Sequence, residues 1–486
     1  MRRSLALVLS LILVLLFNSI TFSADFKVNG VYTAWGLSQN KFFLGKNDGN
    51  DNYFVQMLRF KLQAVASDNL KAVTRFDIAQ GWWGVDNVDR TKIPGSGSGL
   101  FDNKDTNFLM HVDQAYIDFK CPRIPINFKV GRMWYGVGNK LLLDNNLDGV
   151  QADVNIKKVK LHLGWAKVSE GYDGLSDNSS LAKADRYGNT DARDANLFLG
   201  NINSKGDKHE LNLFGLYYND ASVDDGTAYL MDGLDYFRPR FSPHVTQLAA
   251  FGLSGSLKMG KLSVIGEFDY LTGKDDINNT TYGAKEKYDI NDGTLSGYNL
   301  YLKPVFKATP KFSLGGVFGM GSGDDDKTGG KGNVNKLRTS GFFYVTEIWE
   351  DSIMPDEEGI TPQGLGAPNT RGYREFENTT LFQVNATYNV KKNLKAFVSY
   401  TYITATQPIH EWSTDESGNT TIGPNSASDI GTEVDFKVDY KLYNNLIFTV
   451  RGGMFTPGDA AGYLINGTNK YSENVKELKT TLTYKF

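Results

Sequence analysis

The chain has 486 residues, 52 basic and 55 acidic side chains, a net charge of −3 and one cysteine, Cys121. That balance argues against a nucleic-acid partner, which calls for a basic stripe, and a lone cysteine excludes a disulfide framework. Abundant glycine (51), tyrosine (25) and phenylalanine (30) with scarce proline (13) suit strands and turns better than helices.

The first element, residues 1–24, opens MRRSLALVLSLILVLLFNSITFSA. Arg2 and Arg3 form a positive start, Leu5 to Phe17 an apolar stretch too short for a comfortable span, and Ser23 or Ala24 a cleavage point. This predicts a cleaved signal peptide. No later apolar run approaches the roughly 20 residues that a membrane helix needs.

Period-two alternation then recurs to the last residue. It predicts strands at 26–35, 53–66, 70–79, 108–120, 126–135, 149–157, 159–168, 195–202 and 208–218. The series continues at 245–257, 261–273, 293–304, 311–321, 380–390, 393–404, 429–441, 445–455 and 474–486. In the run at 433–440, Val434, Phe436, Val438 and Tyr440 share one face against Glu433, Asp435, Lys437 and Asp439. In the terminal strand, Leu478, Leu482, Tyr484 and Phe486 oppose Glu477, Lys479, Thr481, Thr483 and Lys485. One face wants oil and the other water, which fits a soluble sandwich or a membrane barrel.

The links decide between them. Short turns (SDN, CPRIP, KK, NSKGD, MGK, KATP, KN, YNN) alternate with long loops at 36–52, 80–107, 136–148, 169–194, 219–244, 274–292, 322–379, 405–428 and 456–473. A sandwich has no reason to sort loop length by end, whereas outer-membrane barrels have short periplasmic turns and long outer loops. Backbone in hydrocarbon must be fully paired, and without a helix only a closed barrel achieves this. The expectation is a transmembrane antiparallel β-barrel of about 18 strands in the outer membrane, wide enough for an aqueous channel.

The hairpin QAYIDFK…INFKVGRMWYG, the loop start GSGDDD and the run GTEVDFKVDYKLYNNLIFTVRGGMFTPG resemble Gram-negative outer-membrane porins, most of all the alginate-export type of 18-stranded channel. The resemblance implies a monomeric or loosely associated channel for passive solute passage, and a homo-oligomer is left open. It also implies that the terminal Phe486 is part of the signal read by the barrel assembly machinery. A polyanion channel calls for an arginine-rich lumen, and the overall charge here is balanced.

Strand parity supplies the candidate pore lining. Arg59, Lys61, Lys71, Arg75 and Lys129 face inward from strands 2, 3 and 5, and Arg132 joins them if Gly131 forms a bulge. Glu267 and Asp269 face inward from strand 11, across the ring from strand 2, and Glu433 and Asp435 from strand 16. A basic wall facing an acidic wall predicts a transverse field; the alternative is salt bridging along the wall. The aromatic-rich loop 322–379 is expected to fold into or across the mouth, or to form an outer lid. Its Asp324, Asp325 and Asp326 are a weak Ca²⁺ candidate that lacks the spacing of a known calcium loop. Trp82, Trp83, Trp134 and Trp165 read as interface anchors, with sugar stacking as the alternative.

Catalytic patterns are absent from the sequence. His111, His162, His209, His244 and His410 show no ligand spacing, and GSGSG at 95–99 is no nucleophile elbow. The expectation is no enzyme, no cofactor, and passive diffusion of small polar solutes selected by size and charge. The alternatives are a channel dedicated to oligosaccharide or carboxylate, and a sheath for an extracellular electron-transfer partner. The expected partners are outer-membrane lipid and small polar solutes, with no nucleic acid.

Overall fold

The computed structural model describes residues 24–46, 50–80, 83, 108–169, 195–220, 247–275, 293–323, 343–350, 376, 378–415 and 420–486. Eighteen strands form one sheet: β1 (Asp25–Asn40), β2 (Asp51–Ser67), β3 (Leu70–Gln80), β4 (Phe108–Lys120), β5 (Ile126–Gly136), β6 (Asp144–Ile156), β7 (Val159–Ser169), β8 (Ala195–Lys205) and β9 (His209–Asp220). The second half holds β10 (Gln247–Met259), β11 (Leu262–Asp275), β12 (Gly293–Lys307), β13 (Phe312–Gly321), β14 (Thr379–Lys391), β15 (Leu394–Thr414), β16 (Thr420–Tyr443), β17 (Leu446–Pro457) and β18 (Val475–Lys485). Each strand pairs antiparallel with the next, and β1 pairs with both β2 and β18, so the sheet is a closed barrel. No helix among the described residues is long and apolar enough to cross a membrane; the strands form the wall.

The seam closes on the last residue. Phe486 and Gly30 exchange two backbone hydrogen bonds, at 2.8 and 3.0 Å, and the Phe486 ring stacks on Tyr484. Closure leaves no open edge, which satisfies the backbone without water.

The two faces differ as period-two chemistry dictates. Val130, Leu163, Phe198, Leu213, Phe251, Leu253, Phe268, Leu300, Phe382, Val384 and Leu482 are exposed on the outside. Cross-strand register joins them into continuous apolar rows, such as Leu253–Phe268–Leu300. So wide an apolar belt is a surface for acyl chains.

The inner face is polar toward the short turns and apolar toward the long loops. There, Leu197 and Leu199 of β8, Phe214, Leu216 and Tyr218 of β9, and Leu248 and Ala250 of β10 are buried inward. They join one internal cluster with Phe42 and Leu44, with Val137 and Leu141–Leu143, with Ile348 and Trp349, and with a helix, α1 (Asp459–Asn466). Segments from the long-loop end thus fold inside the barrel and build a dry core there.

Three differences from expectation bear on the interior and its mouth. β6 begins at Asp144, five residues before the predicted strand. The predicted loop 405–428 is largely strand, because β15 and β16 continue as a hairpin beyond the wall. Trp412 on that hairpin donates its indole N–H to the Tyr463 carbonyl at 2.7 Å, fixing it to α1. Finally, α1 lies in the predicted loop 456–473; Gly467, with φ +73°, ends it. Residues 1–23, where the leader is expected, lie outside the described residues, as do Trp82, the 95–99 run, His244 and Asp324–Asp326.

Candidate functional site

The barrel interior is a concave surface, and its basic arc starts on β2. Arg59 Nε donates to Asp77 Oδ1 at 2.7 Å across the β2–β3 pair. Lys61 stands in register with Arg75, and Arg75 forms an ion pair with Asp113. Lys71 reaches Asp118 at 3.2 Å, and Lys129 of β5 is the register partner of that same Asp118. Arg59, Lys71 and Arg75 are therefore paired along the wall, as the salt-bridge alternative has it. Their side chains still stay partly open to the lumen; Arg59 and Lys71 are about two-fifths exposed. Cations outnumber Asp77, Asp113 and Asp118 on this stretch, so pairing leaves it positive.

Asp113 owes its inward position to a bulge. Arg75 pairs with Gln114 and Phe76 with Val112, so Asp113 is the extra residue on β4 and both Asp113 and Gln114 are buried inside.

Arg132 is a correction. Gly131 adopts φ +126°, a conformation suited to glycine, but it stays in register with Tyr116 and no residue is inserted. Arg132 therefore shares the outward face of Val130 and Trp134, where it forms an ion pair with Asp148 at 3.4 Å.

The four acidic candidates do face inward, but they are sealed. Asp269 and Glu433 are 0% exposed, Asp435 1% and Glu267 3%. For Glu267 and Glu433 the reason is contact with in-folded loops, while Asp269 is held by the Asn299 amide of β12. Glu267 Oε2 accepts the Asn139 backbone N–H from the β5–β6 link, and Asn139 Nδ2 donates to the Gly266 carbonyl at 3.3 Å. Glu433 accepts the Ile348 and Trp349 N–H groups at 2.6 and 2.9 Å. Trp349 stacks on Phe455 of β17 at 5.1 Å, and Gln383 of β14 donates to the Val345 carbonyl at 3.3 Å. Carboxylates that accept loop N–H groups are anchors, not an open acidic wall, so the expected basic-against-acidic field has no solvated acidic side.

Sequence reasoning missed a second basic row. Lys437, Arg451 and Lys479 stand side by side in register on β16, β17 and β18. Arg451 contacts Glu347 at 3.0 Å and the Tyr344 hydroxyl at 3.1 Å, both on the in-folded segment 343–350. Lys479 is buried against Glu477 at 3.3 Å. Parity alone placed Lys437 and Lys479 on the wet face; their alignment with Arg451 required the register.

Of the tryptophans read as anchors, Trp83, Trp134 and Trp165 are exposed on the outside. Trp134 is exposed and donates to Asp144 at 2.6 Å, with Lys140 over its ring, and Trp165 donates to Asn196 at 3.1 Å. Trp83 is exposed and stacks on Phe54. These are positions for interface anchoring rather than for lumen stacking. No group of three or more His, Cys, Asp or Glu side chains is arranged for a metal among the described residues.

No family model matches the sequence, and no curated protein does. Solved structures do match the fold. OpdK of Pseudomonas aeruginosa, crystallised with vanillate, aligns with a TM-score of 0.51 at 10% identity over 95% of this chain and 98% of its own. OccK9 (OpdG) of the same organism aligns at 0.53 and 12% identity, over 95% and 98%. OccAB3 of Acinetobacter baumannii aligns at 0.54 and 11%, over 95% and 100%. OpdK is described as an outer membrane protein. Identities this low establish a shared barrel architecture over nearly the whole chain.

Proposed function

We propose that this protein is a passive channel of the outer membrane that passes small polar solutes and favours anions. The observation that carries the reading is the inner wall's charge. Basic side chains from β2, β3 and β5 stay partly exposed to the lumen, while Glu267, Asp269, Glu433 and Asp435 are buried. Water-lined cations in a low-dielectric bore raise the local concentration of anions and lower the barrier to their entry. Internal loop segments narrow the bore and supply size selection.

Small carboxylates are the solutes that best fit such a wall, since guanidinium and ammonium groups bind carboxylate oxygens. The vanillate bound to the similarly folded OpdK is of that chemical class. The sequence resemblance to alginate-export channels extends the candidates to anionic sugars. The exposed apolar belt supports a lipid setting, and the resemblance to outer-membrane porins supports assembly by the barrel assembly machinery. No reaction is assigned to the protein.

Reversal potentials in planar bilayers test the reading. The wild type should be anion-selective, and R59E/R75E should shift the ratio toward cations. A wild-type channel without anion preference, or a double variant with an unchanged ratio, ends the proposal. A panel of benzoates, short aliphatic carboxylates and uronate oligosaccharides then orders the solutes.

A further inference from the structure

Segment 343–350 lies along the inner wall as a strap. Phe343 meets Tyr301 of β12 edge-on at 5.1 Å, Gln383 of β14 donates to the Val345 carbonyl at 3.3 Å, and Trp349 stacks on Phe455 of β17 at 5.1 Å. Glu350 Oε2 accepts the Val345 and Thr346 N–H groups at 2.8 and 3.2 Å, which closes the strap into a turn. These anchors do not involve the side chain of Glu347. That side chain reaches across to Arg451 of β17, with Oε2 at 3.0 Å from Nη1. The same Nη1 donates to the Tyr344 hydroxyl at 3.1 Å, and Tyr344 is 45% exposed.

The three cations of the β16–β18 row differ in the source of their carboxylates. Lys437 has Asp439 at 4.0 Å and Lys479 has Glu477 at 3.3 Å, each on its own strand. The carboxylate on Arg451 arrives on the strap instead. The register neighbours of Arg451 are Lys437 and Lys479, so the wall beside it is basic. A guanidinium in such a place holds an anion through charge-assisted hydrogen bonds. A channel must bind its solute firmly enough to admit it and loosely enough to let it go. We propose that Glu347 is a tethered competitor for the solute: it occupies the Arg451 guanidinium, and a permeating aromatic carboxylate displaces it, with its ring against Tyr344 and its carboxylate on Arg451. The returning Glu347 carboxylate then expels the solute, which keeps each stay brief. The inference rests on the reading of the protein as an anion-favouring channel, and it names the residue that governs release.

Single channels of the full-length protein in planar bilayers are exposed to benzoate, with neutral benzamide as the control. The expected result is brief benzoate interruptions of the wild-type current that lengthen at least about tenfold in E347Q, because the competitor has lost its charge. E347Q/R451Q should match R451Q, since without the guanidinium Glu347 has nothing to compete for. Benzamide should act alike on all variants. Unchanged Trp349 emission checks that the strap stays in place in E347Q; if it moves, E347D, which draws the carboxylate back by one methylene, decides by the same criteria. Unchanged benzoate residence, a lengthening that survives in E347Q/R451Q, or equal lengthening with benzamide overturns the proposal. Any of these in a channel whose wild type prefers anions sinks this inference alone and leaves the channel reading standing.

Discussion

At the residue scale, one carboxylate holds a segment in place. Glu433 presents two oxygens to two consecutive backbone N–H groups, Ile348 and Trp349, inside a dry cluster. Replacing it by leucine leaves both donors buried and unpaired, at about 1–3 kcal/mol each. E433L should therefore release segment 343–350, seen as red-shifted Trp349 emission and new proteolytic cleavage there; E433Q, which keeps one acceptor, should sit between. Wild-type cleavage in E433L would show that the Trp349–Phe455 stack suffices alone. The inward direction of Glu433 was legible from alternation in TEVDFKVDY. Its role was not, because its partners lie 84 and 85 residues away in a loop with no period of its own. Arg132 misled for a related reason: a glycine beside it suggested a bulge, whereas Gly131 takes up a positive φ without changing register, and the bulge falls at Asp113.

At the element scale, the link between β5 and β6 behaves as a strut. Val137 and Leu141–Leu143 are buried in the internal cluster, and Gly138, at φ +51°, lies against the Glu267 carboxylate with no room for a Cβ. A β-branched residue there is strained in its backbone and clashes with that carboxylate. G138V should displace the strut and raise single-channel conductance while leaving the strands paired and the gel shift of the folded barrel intact. An unchanged conductance would mean that the width is set elsewhere. The strands themselves were legible because lipid on one side and water on the other impose a period of two. That signal weakens where both faces are greasy, although it still located the three strands concerned. β8, β9 and β10 carry Phe198, Leu213 and Phe251 outside and Leu197, Phe214 and Ala250 inside, since the barrel there encloses loops rather than water. For the same reason the β15–β16 hairpin and α1, which pack on each other outside the hydrocarbon period, read as loop.

At the scale of the whole molecule, the fold has two kinds of apolar surface that answer to different solvents, and substitutions can separate them. Leu300 lies exposed in an outer row between its register partners Phe268 and Met320. An arginine there must either stay in hydrocarbon or pull water and headgroups to it, at roughly 2–4 kcal/mol near the midplane of a bilayer. Gln63, on the inner wall of β2 and only partly buried, faces the same lumen as Lys61, so an arginine there meets water and should cost within about 1 kcal/mol. Urea unfolding in lipid vesicles should thus rank L300R far below Q63R. In short-chain detergent, whose micelle yields readily to a charge, the gap should narrow. Equal costs for the two variants in vesicles would mean that the outer belt does not meet lipid. The solvent assignment of every strand, and with it the inward placement of Arg59, Lys61, Lys71, Arg75 and Lys129, would then have to be reversed.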